Sequence, residues 1–356
     1  MKCEALLLSL YRAKNNDLKP SSVLRPNRPR SAIFFASLAA ALLFVATTAV
    51  ARAAAEGSFE RTLKVTGPLE LDVSTGSGHI DVRTGDSSTV RIRGTIRASS
   101  GGWRSSDDDA ERKVRYLESN PPIEQSGNYV KIGHAEDREL MRNVSISYDL
   151  VVPAETRLRS HTGSGSQSIA GLRGPVKAGT GSGNLRIEDI GDELEAHTGS
   201  GNIEIRSVKG RLHAQTGSGP IRATDIAGGF VASTGSGDVR LEQSGPGDGK
   251  VDTGSGTVEI HGLRGGLRVQ AGSGGIHVEG DPTGDWSLHT GSGGLNVRVP
   301  SQAAFDVDAH TSSGRISTSH NITLQGTFGR GELRGKVGQG GVRLELRTGS
   351  GNIQIE

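Results

Sequence analysis

Five side chains in the C-terminal third of the sequence are of types that bind metal ions. Asp285 and His289 lie in one segment, and Asp306, Asp308 and His310 lie in the next. Imidazole and carboxylate groups are common zinc ligands. In two neighbouring strands in register, these groups would lie within a few ångströms of each other. Surface Asp and His groups are also common without a metal, so we predict no metal or other cofactor and keep the five as candidates.

Catalytic chemistry has less support from the sequence. A polysaccharide lyase or hydrolase needs a charged cleft with aligned acids, and a sugar-stacking platform needs clustered aromatic side chains. Aromatic residues make up 4% of this chain and are scattered along it. No Ser/His/Asp or Cys/His set stands apart from the repeat described next. We therefore predict a non-enzymatic protein with no catalytic residue, and keep a carbohydrate-active β-helix enzyme as the alternative.

The elements that position these residues follow from one repeated tetrapeptide, Thr-Gly-Ser-Gly. Between Thr162 and Thr234 it recurs every 18 residues, and the spacing then loosens to 19, 18, 19 and 21 when the close variants that begin at Ala271 and Thr311 are counted. A fixed period of this length indicates a solenoid, in which each repeat stacks on the next. The nine copies begin at Thr75, Thr162, Thr180, Thr198, Thr216, Thr234, Thr253, Thr290 and Thr348.

One repeat unit, Thr198 to Thr216, predicts the shape of a coil. Residues 202–206 and 211–215 each alternate polar and apolar side chains, which is typical of a strand with one buried face, and residues 207–210 form a turn. Stacked coils about 4.8 Å apart would enclose a continuous aliphatic column. The predicted fold is all-β, a single-chain β-solenoid (β-helix) with about 18 residues per coil. Strand twist favours a right-handed coil.

The glycines of the tetrapeptide have a backbone role in this interpretation. A corner needs a positive φ angle or close approach of neighbouring coils, and glycine allows both. The Thr and Ser side chains can hydrogen-bond to the corner backbone. A phosphate-binding loop would end in Lys followed by Ser or Thr, which these copies lack.

Outward positions of the first strand in each coil carry opposite charges. They alternate along and between coils, as in Arg186 with Glu188 and Glu204 with Arg206. Cross-strand pairs of this kind contribute at most about 1 kcal/mol each. This pattern predicts a solvated, self-complementary face.

Residues 1–53 are interpreted as a signal peptide or a membrane anchor. A basic segment precedes the uncharged residues 31–51, and Ala51-Arg52-Ala53 has the form of a signal-peptidase site. An uncleaved anchor formed by residues 31–51 stays open, because about 20 apolar residues can span a bilayer. Without residues 1–53 the formal net charge changes from +2 to −4, and the only cysteine, Cys3, is lost. The sequence has no basic stripe with interleaved aromatic residues, so we predict no nucleic-acid partner.

The rest of the chain divides into three parts. Residues 54–98 have the texture of first solenoid coils, 99–152 form an excursion with a helix near 107–119 and further strands, and 153–356 form the regular solenoid. We expect residues 99–142 to lie outside the stack, over a side or the first coils. Residues 352–356 follow the last Thr-Gly-Ser-Gly directly, which leaves a monomer with a charged edge or end-to-end self-association through the last strand.

Several segments resemble the bacterial "putative adhesin" family of glycine-rich β-solenoids. These are the unit TGSG(N/D)(I/V)x(I/V), the early segments NPPIEQSG and ISYDLVVP, and the closing segment GELRGKVGQGGVRLELRTGSGNIQI. The resemblance covers residues 57–356, and the family is largely a domain of unknown function. It implies an exported envelope protein in the periplasm, on the cell surface or outside the cell, with an envelope protein or glycan as partner and no catalytic residues to transfer. An envelope-stress accessory with a membrane partner is a further possibility.

Overall fold

The computed structural model describes residues 54–99, 107–134, 139–324 and 329–356. The predicted signal peptide or anchor, residues 1–53, lies outside the described residues. Within the described ranges the chain forms one helix, α1 (Asp107–Ser119), and no helix there is long and apolar enough to cross a bilayer. The strands are β1 (Ala55–Lys64), β2 (Leu69–Thr75), β3 (Ile80–Thr84), β4 (Thr89–Ala98), β5 (Ile123–Ser126), β6 (Tyr129–Ile132), β7 (Val144–Val152), β8 (Thr156–Thr162), β9 (Gln167–Ala170), β10 (Val176–Thr180), β11 (Leu185–Ile190), β12 (Leu194–Thr198), β13 (Ile203–Val208), β14 (Leu212–Thr216), β15 (Ile221–Ile226), β16 (Phe230–Thr234), β17 (Val239–Gln243), β18 (Gly249–Ser255), β19 (Val258–Arg264), β20 (Leu267–Ser273), β21 (Ile276–Asp281), β22 (Trp286–Ser292), β23 (Leu295–Arg298), β24 (Phe305–Ser313), β25 (Ile316–Thr318), β26 (Ile322–Leu324), β27 (Glu332–Val337), β28 (Val342–Ser350) and β29 (Ile353–Ile355).

Each coil from β8 to β23 gives one strand to each of two sheets. The first sheet contains the odd-numbered strands β9 to β23, and the second contains the even-numbered strands β8 to β22. Neighbours pair in parallel, and Ile203 opposite Ile221 and Leu194 opposite Leu212 show an offset of 18 residues. The predicted β-solenoid with about 18 residues per coil is confirmed.

The interior is a column of aliphatic side chains between the two sheets. Ile203 and Ile205 are 1% exposed, and Leu212 and Ala214 are fully buried. Fully burying one such branched side chain stabilises the fold by about 1.5–3 kcal/mol. The period-two alternation therefore identified the inward face correctly.

The corner between coils shows why the tetrapeptide begins with Thr and contains glycine. The Thr198 hydroxyl donates to the Gly183 carbonyl of the preceding coil at 2.9 Å and accepts from the Gly201 amide of its own coil at 3.0 Å. A methyl group on Gly201 would overlap the Gly183 carbonyl oxygen, although the φ of Gly201 is not positive. Close approach of coils, and not a left-handed conformation, requires glycine at this position.

The N-terminal end of the stack contains antiparallel strands. In the first sheet the order is β1-β4-β7-β3-β9, and β4 is antiparallel to both β1 and β7. In the second sheet β6 pairs with β2, and β5 pairs with β6. The expectation that residues 99–142 lie outside the stack is therefore wrong for β5 and β6, because their backbones extend the second sheet. Helix α1 covers the end of the first sheet, where Glu118 accepts a hydrogen bond from the Ser58 amide at 3.0 Å.

The C-terminal strands lie inside the stack. The first sheet continues as β23-β29-β25, and the second as β22-β28-β24-β27-β26. After β24 and β25 the chain reverses through β26 and β27, which is antiparallel to β24, and then inserts β28 on the other side of β24. The expected free edge at residues 352–356 is therefore wrong, because β29 has a strand on each side.

Candidate functional site

The five metal-site candidates lie on or next to two strands that do not pair with each other. Asp285 immediately precedes β22, which contains His289. Asp306, Asp308 and His310 lie in β24. Strand β28 separates them, with Arg347 opposite both His289 and His310. The sequence placed these segments in adjacent coils because the insertion of a later strand leaves no mark on the local period.

Three arginine side chains surround the Asp308 carboxylate. Asp308 contacts Arg343 at 3.0 Å and Arg334 at 3.4 Å, and Arg347 at 3.8 Å. The Arg347 side chain hydrogen-bonds to Glu345, which lowers the pKa of that carboxyl group. Among the described residues, no three His, Cys, Asp or Glu side chains are arranged to hold a metal ion. His289, Asp306 and Asp308 contact charged side chains around the inserted strand, and Asp285 accepts a hydrogen bond from the Arg343 backbone amide.

The outer face of the first sheet is covered by its own ion pairs. Arg186 contacts Glu188 at 2.9 Å in its own coil and Glu204 at 3.8 Å in the next, and Arg206 contacts Glu204 at 2.8 Å. These side chains are about half exposed, so solvent screens each pair. The predicted self-complementary pairing is confirmed for these coils.

The outer face of the second sheet contains a cleft. One outward column of this face runs one residue before the Thr of each coil, through Ser74, His161, Gly179, His197 and Gln215. Gly179 has no side chain, so the column has a gap between two imidazole rings. The cleft has a volume of about 660 Å³ and runs across five neighbouring strands from β2 to β14. At about 4.8 Å per strand its length is roughly 19 Å.

A buried polar pair lies beneath this gap. The Ser160 hydroxyl donates to the side-chain oxygen of Gln167 at 2.7 Å, and the Gln167 amide nitrogen donates to the Gly179 carbonyl. Ser160 is 4% exposed and Gln167 2%, whereas the position opposite Gln167 in the next coil is Leu185. Because its carbonyl is hydrogen-bonded from the core, the backbone of Gly179 is held in place at the floor of the cleft.

Charged side chains that line the cleft pair with neighbouring side chains of the same face. On one side Glu195 accepts from Lys177 at 2.9 Å and contacts the His197 Nε2 at 2.6 Å. These hydrogen bonds, first from Lys177 and then from His197, lower the pKa of the Glu195 carboxyl group. The His197 ring also packs edge-to-face on His213, with 5.4 Å between the ring centroids.

The opposite wall has a similar composition. Asp72 contacts the His134 Nε2 at 3.1 Å, and Arg159 contacts Glu70 at 3.4 Å. Asp72, Arg159, Lys177 and His197 therefore line the cleft, and each is paired with a neighbouring side chain. A glycosidic general acid needs a raised pKa, and the lowered pKa of Glu195 is unsuited to that role. The arrangement suits binding of a ligand with many hydroxyl groups.

Sequence reasoning missed this site because it treated each glycine as a corner residue. Aligning the coils at their Thr residues would have revealed it. Gly179 then falls in the column of His161 and His197, and Gln167 falls among aliphatic residues. Both departures from the repeat occur in neighbouring coils.

Residues 191–356 match the family model described as Toastrack DUF4097. Together with the fold, this match confirms the resemblance to a β-solenoid family of unknown function. The matched range includes His197 and Gln215 but begins after His161 and Gly179. A comparison with curated proteins finds no match.

Three solved structures are similar to this chain. A "putative adhesin" from Parabacteroides distasonis is 15% identical, with coverage of 68% of this chain and 97% of that chain and a TM-score of 0.45. A "putative adhesin" from Bacteroides fragilis is 13% identical, with coverage of 68% and 97% and a TM-score of 0.34. A "putative cell adhesion protein" from Clostridium sporogenes is 12% identical, with coverage of 84% and 99% and a TM-score of 0.20. Each name describes that protein alone.

Proposed function

We propose that this protein is an exported, non-enzymatic, adhesin-like scaffold of the bacterial cell envelope that binds a glycan along its second sheet. The observation that carries this proposal is the cleft over Gly179. The outer face of the second sheet has an open depression, and its glycine floor is held by a hydrogen bond from the core. A scaffold of this kind binds its ligand without turning it over.

The chemistry of the cleft supports a glycan as the ligand. Sugar hydroxyl groups need hydrogen-bond partners when they leave water. The lining offers the Asp72 carboxylate as an acceptor, and it offers cationic and imidazole side chains as donors. The gap at Gly179 leaves room for a ring between His161 and His197. The length of roughly 19 Å suits a short linear oligosaccharide lying across several strands.

Export is supported by the composition of the chain. Residues 31–51 are uncharged and precede a small-x-small sequence, and the described solenoid contains no cysteine. A cysteine-free domain is compatible with an oxidising compartment. Mass spectrometry of the protein from its native cell decides between the two forms: loss of residues 1–53 supports cleavage, and an intact N-terminus in the membrane fraction supports the anchor.

A glycan array with a matched pair of variants tests the binding proposal. Gly179→Gln places in the gap the side chain that Gln215 carries two coils later, and a Cβ there would meet only the His161 Nδ1, at 3.3 Å. Ser233→Gln introduces the same side chain in the same column, next to Gln215 and beyond the cleft. We expect wild type and Ser233→Gln to bind the same glycans, and Gly179→Gln to lose at least tenfold in affinity, about 1.4 kcal/mol.

Equal binding by all three proteins would contradict the cleft as the site, and no binding by any of them would contradict a glycan ligand. Product analysis on the bound glycans separates the alternative function. New reducing ends or unsaturated products would support a carbohydrate-active enzyme. Intact glycans would support the scaffold.

A further inference from the structure

The segment formed by residues 342–356 occupies a place in the stack that does not follow from its place in the sequence. Its strands β28 and β29 separate the coil of β22 and β23 from the coil of β24 and β25. The Thr and Ser residues of the motif stay aligned across all three coils. Thr348 lies opposite Thr290 and Thr311, and Ser350 lies opposite Ser292 and Ser313.

The two flanking coils have matching registers. Leu344 pairs with Trp286 on one side and with Val307 on the other, so the same alignment would place Val307 opposite Trp286 if β28 were absent. The 21 residues from Thr290 to Thr311 exceed the usual 18 or 19 by only a few. The stack is therefore compatible with two arrangements, one with the segment inserted and one with β24 directly on β22. Packed elements with two discrete arrangements are the basis of strand insertion and exchange.

The contacts that hold the segment are all made to strands that a second copy also possesses. Leu344, Leu346, Ile353 and Ile355 are fully buried between the flanking coils. The Thr348 hydroxyl donates to the Gly293 carbonyl at 2.9 Å, as in the regular corners. At the edge, Glu356 contacts Arg298 at 2.9 Å.

The connection to the segment is a glycine hinge. Gly338, Gly340 and Gly341 have positive φ angles of 61°, 75° and 152°. Glycine adopts such angles without the steric cost that other residues have, so a hinge of this composition can take a second path. Domain swapping exchanges an identical element between two copies through such a hinge.

We propose that residues 342–356 exchange between two copies of this chain, so that each copy inserts its segment between the β22 and β24 coils of the other. Each intramolecular contact of the segment is then remade between copies. The product is a closed, two-fold symmetric dimer, because the same surface serves both chains. This differs from addition at an open sheet edge, since the exchanged strands have neighbours on both sides.

Disulfide trapping in the full chain tests the exchange. In a Cys3→Ser background, one population carries Ser292→Cys and another carries Ser350→Cys; these exposed residues are in-register neighbours across β22 and β28. Neighbouring strands lie about 4.8 Å apart, within the Cα separation that disulfides accept. After mixing and mild oxidation, we expect a mixed disulfide dimer. The control mixes Ser255→Cys with Ser273→Cys, which are neighbours across the regular strands β18 and β20.

Exchange predicts at least tenfold more mixed dimer in the first mixture than in the control. Equal yields in the two mixtures would show random collision and overturn the proposal. So would absence of dimer in the first mixture when a single chain carrying both Ser292→Cys and Ser350→Cys closes its internal disulfide.

Hydrogen exchange gives a second readout that does not depend on disulfide geometry. Leu344 and Leu346 in β28 and Val251 and Val269 in β18 and β20 are all fully buried. In the monomer fraction we expect the amides of Leu344 and Leu346 to exchange at least tenfold faster, because their segment must leave its own stack before it enters another copy. Equal protection of the four amides in the monomer overturns the proposal even if the paired cysteines do not close. Neither readout involves the cleft, so the results of both are independent of the glycan-binding test.

Discussion

The regular coils from β10 to β22 and the C-terminal coils from β22 to β29 contain the same motif, but their strands stack in different orders. In the regular coils each strand pairs with the strand of the next repeat, always in parallel. In the C-terminal coils a later strand, β28, lies between two earlier ones. The comparison shows that the repeat determines how a coil folds and how it joins a neighbour, but not which neighbour it joins.

The largest expected effects come from removing a core side chain in each region. Leu212→Ala and Leu346→Ala both remove a fully buried leucine, for which the usual cost is about 2–5 kcal/mol. In the regular coils we expect Leu212→Ala to lower the free energy of unfolding of the stack. Leu346→Ala should release mainly residues 342–356. Urea unfolding combined with hydrogen exchange measures both, and identical global unfolding would break the distinction between the regions.

A smaller effect is expected from the corner glycines. Gly201→Ala would place a methyl group against the Gly183 carbonyl, and overpacking of this kind costs about 1–3 kcal/mol. Gly76→Ala is the matched control, because a Cβ at Gly76 has no atom within 4 Å. Urea unfolding should show a clear loss for the first variant and little change for the second. Equal stability of the two variants would contradict close approach as the reason for glycine.

The buried pair of Ser160 and Gln167 beneath the cleft distinguishes its coil from the regular neighbours, which have aliphatic side chains there. Gln167→Leu restores the aliphatic residue of the next coil but removes the partner of the Ser160 hydroxyl and of the Gly179 carbonyl. We expect a loss of about 1–2 kcal/mol, because buried polar groups lose their hydrogen bonds. Adding Ser160→Ala removes one of these unpaired groups and should recover part of the loss. A double-mutant cycle by urea unfolding measures the coupling, and strict additivity would contradict it.

The smallest effect concerns one histidine of the first-sheet face. A hydrogen bond from the His261 ring to the Glu259 carboxylate, and a weaker contribution from Glu279, raise the pKa of His261 above its usual value of 6.5. The stabilisation is therefore complete below about pH 6.5 and is lost as the pH rises through the folded-state pKa. NMR titration should give a raised pKa in wild type and a lower one in Glu259→Gln. An unchanged pKa in this variant would contradict the assignment, with Glu279→Gln as the comparison for the weaker contact.

Much of the fold could be predicted because its determinants are local. Period-two alternation identified buried residues such as Ile203 and Leu212, and the 18-residue spacing gave the coil length. The charge pairs of Arg186 and Arg206 followed from the same count. Each of these features is repeated in coil after coil, so the sequence states it many times.

The remaining features depend on events that occur once. The insertion of β28 separates His289 from His310, yet Thr290, Thr311 and Thr348 look equivalent in the sequence. At the N-terminal end, β4 and β7 are far apart in the sequence but form an antiparallel pair. No periodic pattern in the sequence indicates this pairing. The cleft depends on the absence of a side chain at Gly179, and Gly179 is one of 53 glycines in the sequence.

The bonding of Thr198 to the coil before it and to its own corner has a consequence for how such chains change length. Thr216 makes the same two bonds one coil later, to Gly201 and Gly219. Loss of one whole repeat, such as residues 199–216, would therefore join two coils whose corner bonds still match, whereas loss of a few residues would not. Unequal recombination between repeats can thus lengthen or shorten the stack in whole-coil steps.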